Sequence, residues 1–139
     1  MRVVFDTDVM VAALESANGA SHQLLLRVGR GELRPLLSTS LLLEYEAVLT
    51  RQAYLQRTGL TAEDVQAALD DMIRLCHRVS VQIRWRPAAN DPDDDHVLET
   101  ALNGGADAIV TFNLRDLAKA ADRFGVPVLR PGELLRRLK

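Results

Sequence analysis

The chain opens with three consecutive apolar residues, Val3, Val4 and Phe5, which run straight into Asp6. An unbroken apolar run of this kind predicts a short strand buried on both faces. Helical spacing follows in "VMVAALES", a first helix ending near "ANGA". Ser21 is placed to cap a second helix, "HQLLLRVGRGE", which Gly29 and Gly31 stop. "LRPLLST" predicts a second strand; Pro35 cannot donate to the ladder, so it points to a sheet edge or a late start. Helical spacing returns in "SLLLEYEAVLTRQAYLQRT". Thr61 caps the next helix, "AEDVQAALDDMIRLC", with Glu63 and Asp64 suited to its first turn. "RVSVQIRW" alternates as a strand does, and "RPAANDPDDD" reads as a loop with two prolines and a dense acidic run. "HVLETALNGG" predicts a short helix closed by its glycines. "ADAIVTF" is an apolar strand, "LRDLAKAADRFG" a helix, "VPVLRP" a last short strand, and "GELLRRLK" a terminal turn of helix.

Strands alternate with helices throughout, so the expected fold class is α/β, with a parallel sheet covered on both faces. In such sheets ligands bind outside the carboxyl ends of the strands. Asp6 stands at one such end, Asn113 just after "AIVTF", and Thr39 and Ser40 after the second strand. The length of 139 residues suits a single domain over 1–139, and a hydrophobic share of 47% excludes a disordered chain. Seventeen Lys and Arg against 19 Asp and Glu leave a net charge of −2, so nucleic-acid binding would need a local basic patch or a metal. The lone Cys76 allows no internal disulfide and reads as a buried thiol. Asp6 and Asp8 interrupt the N-terminal apolar run, so no signal peptide is expected. No stretch approaches the ~20 apolar residues of a membrane span, and a cytoplasmic location is the expectation.

The carboxylates carry the candidate chemistry. Asp6 reads either as a plain helix cap or as a functional group at a strand end. Asp8 belongs to the first helical turn, where its charge favours the helix dipole. Glu44 flanks an apolar stripe through Leu41, Tyr45 and Val48, whereas Glu46 looks like ordinary solvent-facing charge. A carboxylate at the edge of a buried face needs a lysine or arginine partner, or a metal. Four aspartates, Asp91, Asp93, Asp94 and Asp95, crowd into five residues. Asp93 or Asp94 can cap the following helix, which leaves Asp95 in its first turn. Their spacing starts like a calcium loop but fails at His96, where glycine belongs, and at Leu102, where glutamate belongs. His96 has no companion at ligand spacing and reads as a helix-surface histidine rather than a zinc ligand. Thr111, Asn113 and Asp116 form a small polar set after the fourth strand. Thr111 is placed to hydrogen-bond a carboxylate; Asp116 could serve only as a helix cap. Several carboxylates without a matching set of lysines suggest Mg2+ or Mn2+, which prefer oxygen ligands and keep some waters. Such an ion activates water and stabilises charge on phosphoryl oxygens, which suits cutting a phosphodiester.

From "VVFDTDVMVAAL" through "STSLLLEYEAVL" and "DPDDDHVLETALNGGADAIVTFNLRDL" to "GVPVLRPGELL", the chain resembles PIN-domain proteins, in the group that includes toxin components of toxin–antitoxin systems. By position, the resemblance makes Asp6 the first aspartate, Glu44 the helix glutamate and Asp95 the third acid. Asn113 stands where many relatives carry aspartate, Asp116 at an acidic position that varies, and Asp8 where asparagine or serine is common. The resemblance implies a three-layer α/β/α fold around a central parallel sheet. It implies an Mg2+- or Mn2+-dependent endoribonuclease in which Asp6, Glu44 and Asp95 bind the ion, while Asn113 or Asp116 holds an outer water. It also implies an RNA substrate, a homodimer, and an antitoxin protein whose tail enters the acidic groove. Arg84, Arg86 and Arg115 are candidates for RNA contact. Aromatic residues are only 4% of the chain, which argues for recognition of RNA by shape and backbone rather than by a stacking platform. The helices "SHQLLLRVG" and "LTAEDVQAALDDMIRLC" offer apolar surface for a dimer, unless all of it covers the sheet. Two other readings remain: a non-catalytic PIN-like domain kept for binding nucleic acid or protein, and a haloacid-dehalogenase-like phosphatase. The second rests on "FDTDV", with Asp6 as nucleophile and Asp8 as acid; against it, Lys119 lies inside a helix and the chain is short for that fold plus its cap.

Overall fold

The first strand, β1 (Arg2–Phe5), is buried at Val3, Val4 and Phe5. Successive strand side chains point to opposite faces, so both faces of the sheet are covered at β1. The computed structural model describes residues 1–82 and 92–138, with only the backbone of 92–94. Alongside β1 it contains β2 (Arg34–Leu37), β3 (His77–Arg78), β4 (Ala108–Val110) and β5 (Val128–Leu129). These form a five-stranded, all-parallel sheet of order β3-β2-β1-β4-β5. The helices are α1 (Thr7–Glu15), α2 (Ala20–Gly29), α3 (Thr39–Leu49), α4 (Gln52–Thr58), α5 (Ala62–Leu75), α6 (Pro92–Gly104), α7 (Leu114–Asp122) and α8 (Pro131–Arg137). Together they build the expected three-layer α/β/α architecture around the parallel sheet. The chain winds outward from β1 through β2 to β3, then crosses to the other side of β1 for β4 and β5. The switch point of the topology therefore lies between β1 and β4.

Several boundaries differ from the sequence expectation, each for a local reason. Gly19, not Ser21, takes the N-cap position of α2 and provides no side-chain cap. Ser21 is instead buried within the first turn, at 3% exposure, and its Oγ has no hydrogen-bond partner among the described residues. The strand β2 is interior rather than at an edge; Pro35 is tolerated because pairing with β3 begins only at Leu36. The long helical segment divides at Thr50, whose hydroxyl donates to the Glu46 carbonyl at 2.6 Å, and at Arg51, whose backbone is extended. The Tyr54 hydroxyl then ties α4 to the Val11 carbonyl at 2.8 Å. The strand expected over "RVSVQIRW" is only His77 and Arg78. Beyond one further bond, Val79 N to Leu37 O at 3.0 Å, β2 has already turned into α3, so nothing is left for the strand to pair with. Its last three residues, Ile83, Arg84 and Trp85, lie outside the described residues, as do Arg86 and Asp91. Pro92 opens α6, where its fixed φ and missing N–H are harmless. Asp93 and Asp94 consequently fall inside the first turn rather than at the cap. Thr61 caps α5 as expected, in a reciprocal capping box with Asp64. Among the described residues no helix is long and apolar enough to cross a membrane.

Two substitutions test this packing. A Cβ at Gly104 would stand 2.7 Å from Val79 Cγ2 and 2.8 Å from Leu36 Cδ1, both buried. Val79 is stiff at χ1 and Leu36 has no exposed surface to move into. Gly104→Ala should thus destabilise the fold by about 1–3 kcal/mol in urea unfolding, despite alanine's better helix propensity. Ser21→Ala removes an unsatisfied buried hydroxyl and should stabilise by about 1 kcal/mol in the same assay.

Candidate functional site

Register places Phe5 opposite Val110 at the end of the β1–β4 pair, and Asp6 N closes the ladder on the Val110 carbonyl at 2.9 Å. Asp6 and Thr111 therefore emerge side by side at the switch point. The Thr111 hydroxyl donates to Asp6 Oδ2 at 2.7 Å, and the Thr7 amide donates to Asp6 Oδ1 at 2.7 Å. Asp6 is thus both the N-cap of α1 and a buried carboxylate fixed at a strand end. The cap reading is thereby met, and the same geometry keeps the carboxylate at the strand end.

Asp8 joins Asp6. Its Oδ2 accepts from the Phe112 amide at 3.2 Å and lies 3.4 Å from the Thr111 hydroxyl. One hydroxyl proton cannot serve two carboxylates, and the shorter contact goes to Asp6. Asp8 Oδ1 is buried without a hydrogen-bond partner among the described residues. Burial first, and the Asp6 charge second, push the Asp8 carboxyl up from 3.8 to about 6; the Phe112 amide, the Thr111 hydroxyl and the Val9 amide partly oppose this. The sequence offers Asp8 as helix-dipole charge or, in the phosphatase alternative, as an acid. The i+2 spacing in "FDTDV" pointed only to the phosphatase reading; the meeting of Asp8 with Thr111 comes from the tertiary pairing of β1 with β4.

The polar set after β4 is organised differently from the cap expectation. Asn113, not Asp116, takes the N-cap position of α7. Its amide donates from Nδ2 to Asp116 Oδ2 at 2.8 Å, while its backbone N–H donates to Thr111 Oγ1 at 3.0 Å. Asp116 lies in the first turn of α7.

Glu44 is half-buried on α3 and finds no hydrogen-bond or ion-pair partner among the described residues, so the lysine or arginine pairing is not realised there. Its neighbour Tyr45 is fully packed and donates its hydroxyl to the Phe5 carbonyl, the last of β1. Burial, and then the charge of Asp6, raise the Tyr45 phenol well above its usual value, so it stays a donor. A second link fixes α3 against α6. Thr100 Oγ1 commits its proton to the His96 carbonyl at 2.6 Å, so Ser38 Oγ is the donor in the 2.7 Å contact with Thr100. The same Ser38 oxygen caps α3 by accepting from Leu41 N at 3.3 Å.

Asp95 is buried in the first part of α6 at 2% exposure. Glu99, one turn on, is buried at 1% and so lies on the same face, a residue absent from the candidate set. The signal was present, since an acid four residues after Asp95 in an amphipathic helix shares its stripe.

Among the described residues, no three His, Cys, Asp or Glu side chains converge closely enough to hold a metal. Among the described residues Asp6, Glu44 and Asp95 therefore form no closed cage, while Asp6 and Asp8 are close enough for the charge of one to act on the other. The donor chemistry still fits a hard cation: oxygen-only, acid-rich, and with an orphaned buried oxygen on Asp8. A water-rich ion such as Mg2+ needs few protein ligands.

Asp8 yields a pH prediction for the metal-free protein. Below about pH 4 the carboxyl is protonated whether folded or unfolded; between 3.8 and about 6 the folded state holds the proton more tightly. Stability contributed by this group therefore falls as pH rises through that window and stays lost above it. Solvent screening of a half-buried group limits the loss to about 1–2 kcal/mol. In EDTA, Asp8→Asn and wild type should melt alike near pH 4, and the variant should melt higher above pH 6. A difference independent of pH would refute this.

Comparison with known proteins agrees with the architecture. A crystal structure of VapBC2 from Rickettsia felis bound to a DNA fragment from their promoter superposes with a TM-score of 0.63, over 94% of this chain and 98% of that one, at 13% identity. At that identity the likeness concerns the fold. No curated protein matches the chain. The sequence profile of the PIN domain matches residues 2–115, which takes in Asp6, Asp8, Glu44, Asp95, Thr111 and Asn113 and supersedes the phosphatase reading of "FDTDV". With its strand-end aspartate, five-stranded parallel sheet and profile match agreeing, this chain belongs to the PIN-domain family.

Proposed function

We propose that this protein is an Mg2+- or Mn2+-dependent endoribonuclease that hydrolyses RNA phosphodiester bonds, acting as the toxin of a toxin–antitoxin pair. The observation that carries the reading is the pair of carboxylates at the switch point. Asp6 is immobilised by Thr7 and Thr111, and Asp8 beside it has an orphaned oxygen. Asp6, Glu44 and Asp95 would hold the ion, with water completing its shell. When bound, such an ion lowers the pKa of a coordinated water and neutralises charge on phosphoryl oxygens.

The chain's own residues supply the positioning. Thr111 orients the Asp6 carboxylate, and Asn113 and Asp116, already hydrogen-bonded to each other, would orient an outer water. Tyr45 and Ser38 hold α3, and with it Glu44, against the end of β1 and against α6. Arg115 is exposed and has no ion-pair partner among the described residues, which leaves it available to RNA phosphate.

The toxin assignment rests on the family resemblance and on the fold shared with VapBC2; it implies an antitoxin protein as partner. A homodimer is part of the same proposal. Leu26 on α2 and Leu75 on α5, exposed at 43% and 39%, line one apolar groove with Met10, Leu25, Val28 and Met72. The second reading is a non-catalytic PIN-like domain kept for binding nucleic acid or protein.

One variant separates the two. Asp6→Asn keeps a cap-capable oxygen, so stability should change by ~1 kcal/mol or less. Cleavage of RNA in Mn2+ should fall ~100-fold or more. Mn2+ should raise the melting temperature of wild type but not of an Asp6→Asn, Asp95→Asn double variant. Full cleavage by Asp6→Asn overturns the mechanism, whereas inactivity of wild type on several RNAs and metals supports the binding domain.

A further inference from the structure

Phe112 stands between Thr111 and Asn113, in the turn that leaves β4, and is 48% exposed. No other large apolar residue of β4, of this turn or of α7 is exposed; Met1, Leu26, Leu43 and Leu75 belong to other parts of the chain. The root of the ring is rigid. Thr111 N bonds the Leu129 carbonyl at 2.9 Å, Phe112 N bonds Asp8 Oδ2 at 3.2 Å, and Asn113 N bonds Thr111 Oγ1 at 3.0 Å. Three consecutive backbone amides are therefore tied down, and the aromatic side chain is presented to solvent beside the acidic site.

We propose that Phe112 is a nucleotide-positioning residue that stacks on one unpaired base of a single-stranded RNA, next to the bond that is cut. This deepens the ribonuclease reading and rests on it. A protein-docking core is depleted of charge around its aromatic anchors. Here the residue stands between Thr111 and Asn113, its amide is bonded to Asp8, and among the described residues no other large apolar residue of β4, this turn or α7 is exposed. A nucleotide meets both demands, because its base offers a flat π face to the ring while its phosphate remains among polar groups. Arg115, three residues on in the first turn of α7 and exposed without an ion-pair partner among the described residues, provides a cation for the adjoining phosphate. Because the backbone at Phe112 is already fixed, stacking sacrifices little further freedom. A single ring of this kind needs no aromatic-rich sequence, and it favours RNA whose bases are unstacked over a continuous duplex.

The test is a binding cycle. Wild type, Phe112→Ala, Phe112→Trp and Arg115→Ala are titrated against a labelled mixed-sequence oligoribonucleotide and against the same strand carrying abasic riboses. Ca2+ replaces Mg2+ so that the strand stays intact. Phe112→Ala should weaken binding of the base-bearing strand roughly tenfold. It should leave binding of the abasic strand unchanged, and Phe112→Trp should restore wild-type affinity. Arg115→Ala should weaken both strands alike and flatten the salt dependence. Equal loss on both strands with Phe112→Ala, or no loss on either, overturns the inference; no loss on either would leave the ring as a protein contact. Failure of wild type to bind either strand overturns the ribonuclease reading together with it.

Discussion

The hydrogen bond from Thr111 to Asp6 joins the ends of two buried strands at the one place where the sheet topology changes direction. Strand β1 is apolar on both faces, so its last carboxylate leaves the ladder in a desolvated position. A charge there persists only if donors meet it. Thr111 and the first amide of α1 supply them. The same arrangement then exhausts the Thr111 proton and leaves Asp8 short of a donor, close to a neighbouring negative charge. The site is electrostatically incomplete by construction, which is the condition under which a cation, a proton or a ligand would bind favourably.

The rest of the fold keeps that edge in place. A short polar relay, Ser38 to Thr100 to the His96 carbonyl, is buried between α3 and α6. It is fully satisfied, so it adds specificity without leaving a stranded polar atom. Tyr45 reaches from α3 to the final carbonyl of β1, next to Asp6. At the other end of α6, Gly104 allows the helix to close directly on Leu36 and Val79. The helices bearing Glu44, Asp95 and Glu99 are thereby fixed to each other and to β1 and β2 of the sheet. Side chains on rigid elements of this kind can be oriented more narrowly than side chains on loops.

Local chemistry made much of this legible before any tertiary structure. The unbroken run of Val3, Val4 and Phe5 signalled a central strand, because only a strand buried on both faces can be apolar at every position. Thr61 with Asp64 signalled the start of α5, since a capping box is contained within four residues. The same locality explains the misplacements. Ser21 has the chemistry of a cap, but the chain turns one residue pair earlier, at Gly19. "RVSVQIRW" has the alternation of a strand, but strand length depends on how far the neighbour runs, and β2 stops at Leu37. Pro35 speaks against a central strand only if both neighbours pair with it, and β3 arrives one residue later.

For the candidate site, the sequence by itself determined which side chains could matter: carboxylates at the ends of predicted strands, with Thr111 and Asn113 among them. It also determined the family, because motifs in a given order survive without reference to distance. Only the tertiary structure decided which of those groups meet. The choice of β4 as the neighbour of β1 puts Thr111 on Asp6, which draws Asp8 into the site and turns Phe112 outward. Strand pairing is a non-local event set by the packing of the whole sheet, so local sequence could suggest that Thr111 meets a carboxylate but not that the partner is Asp6, more than a hundred positions away.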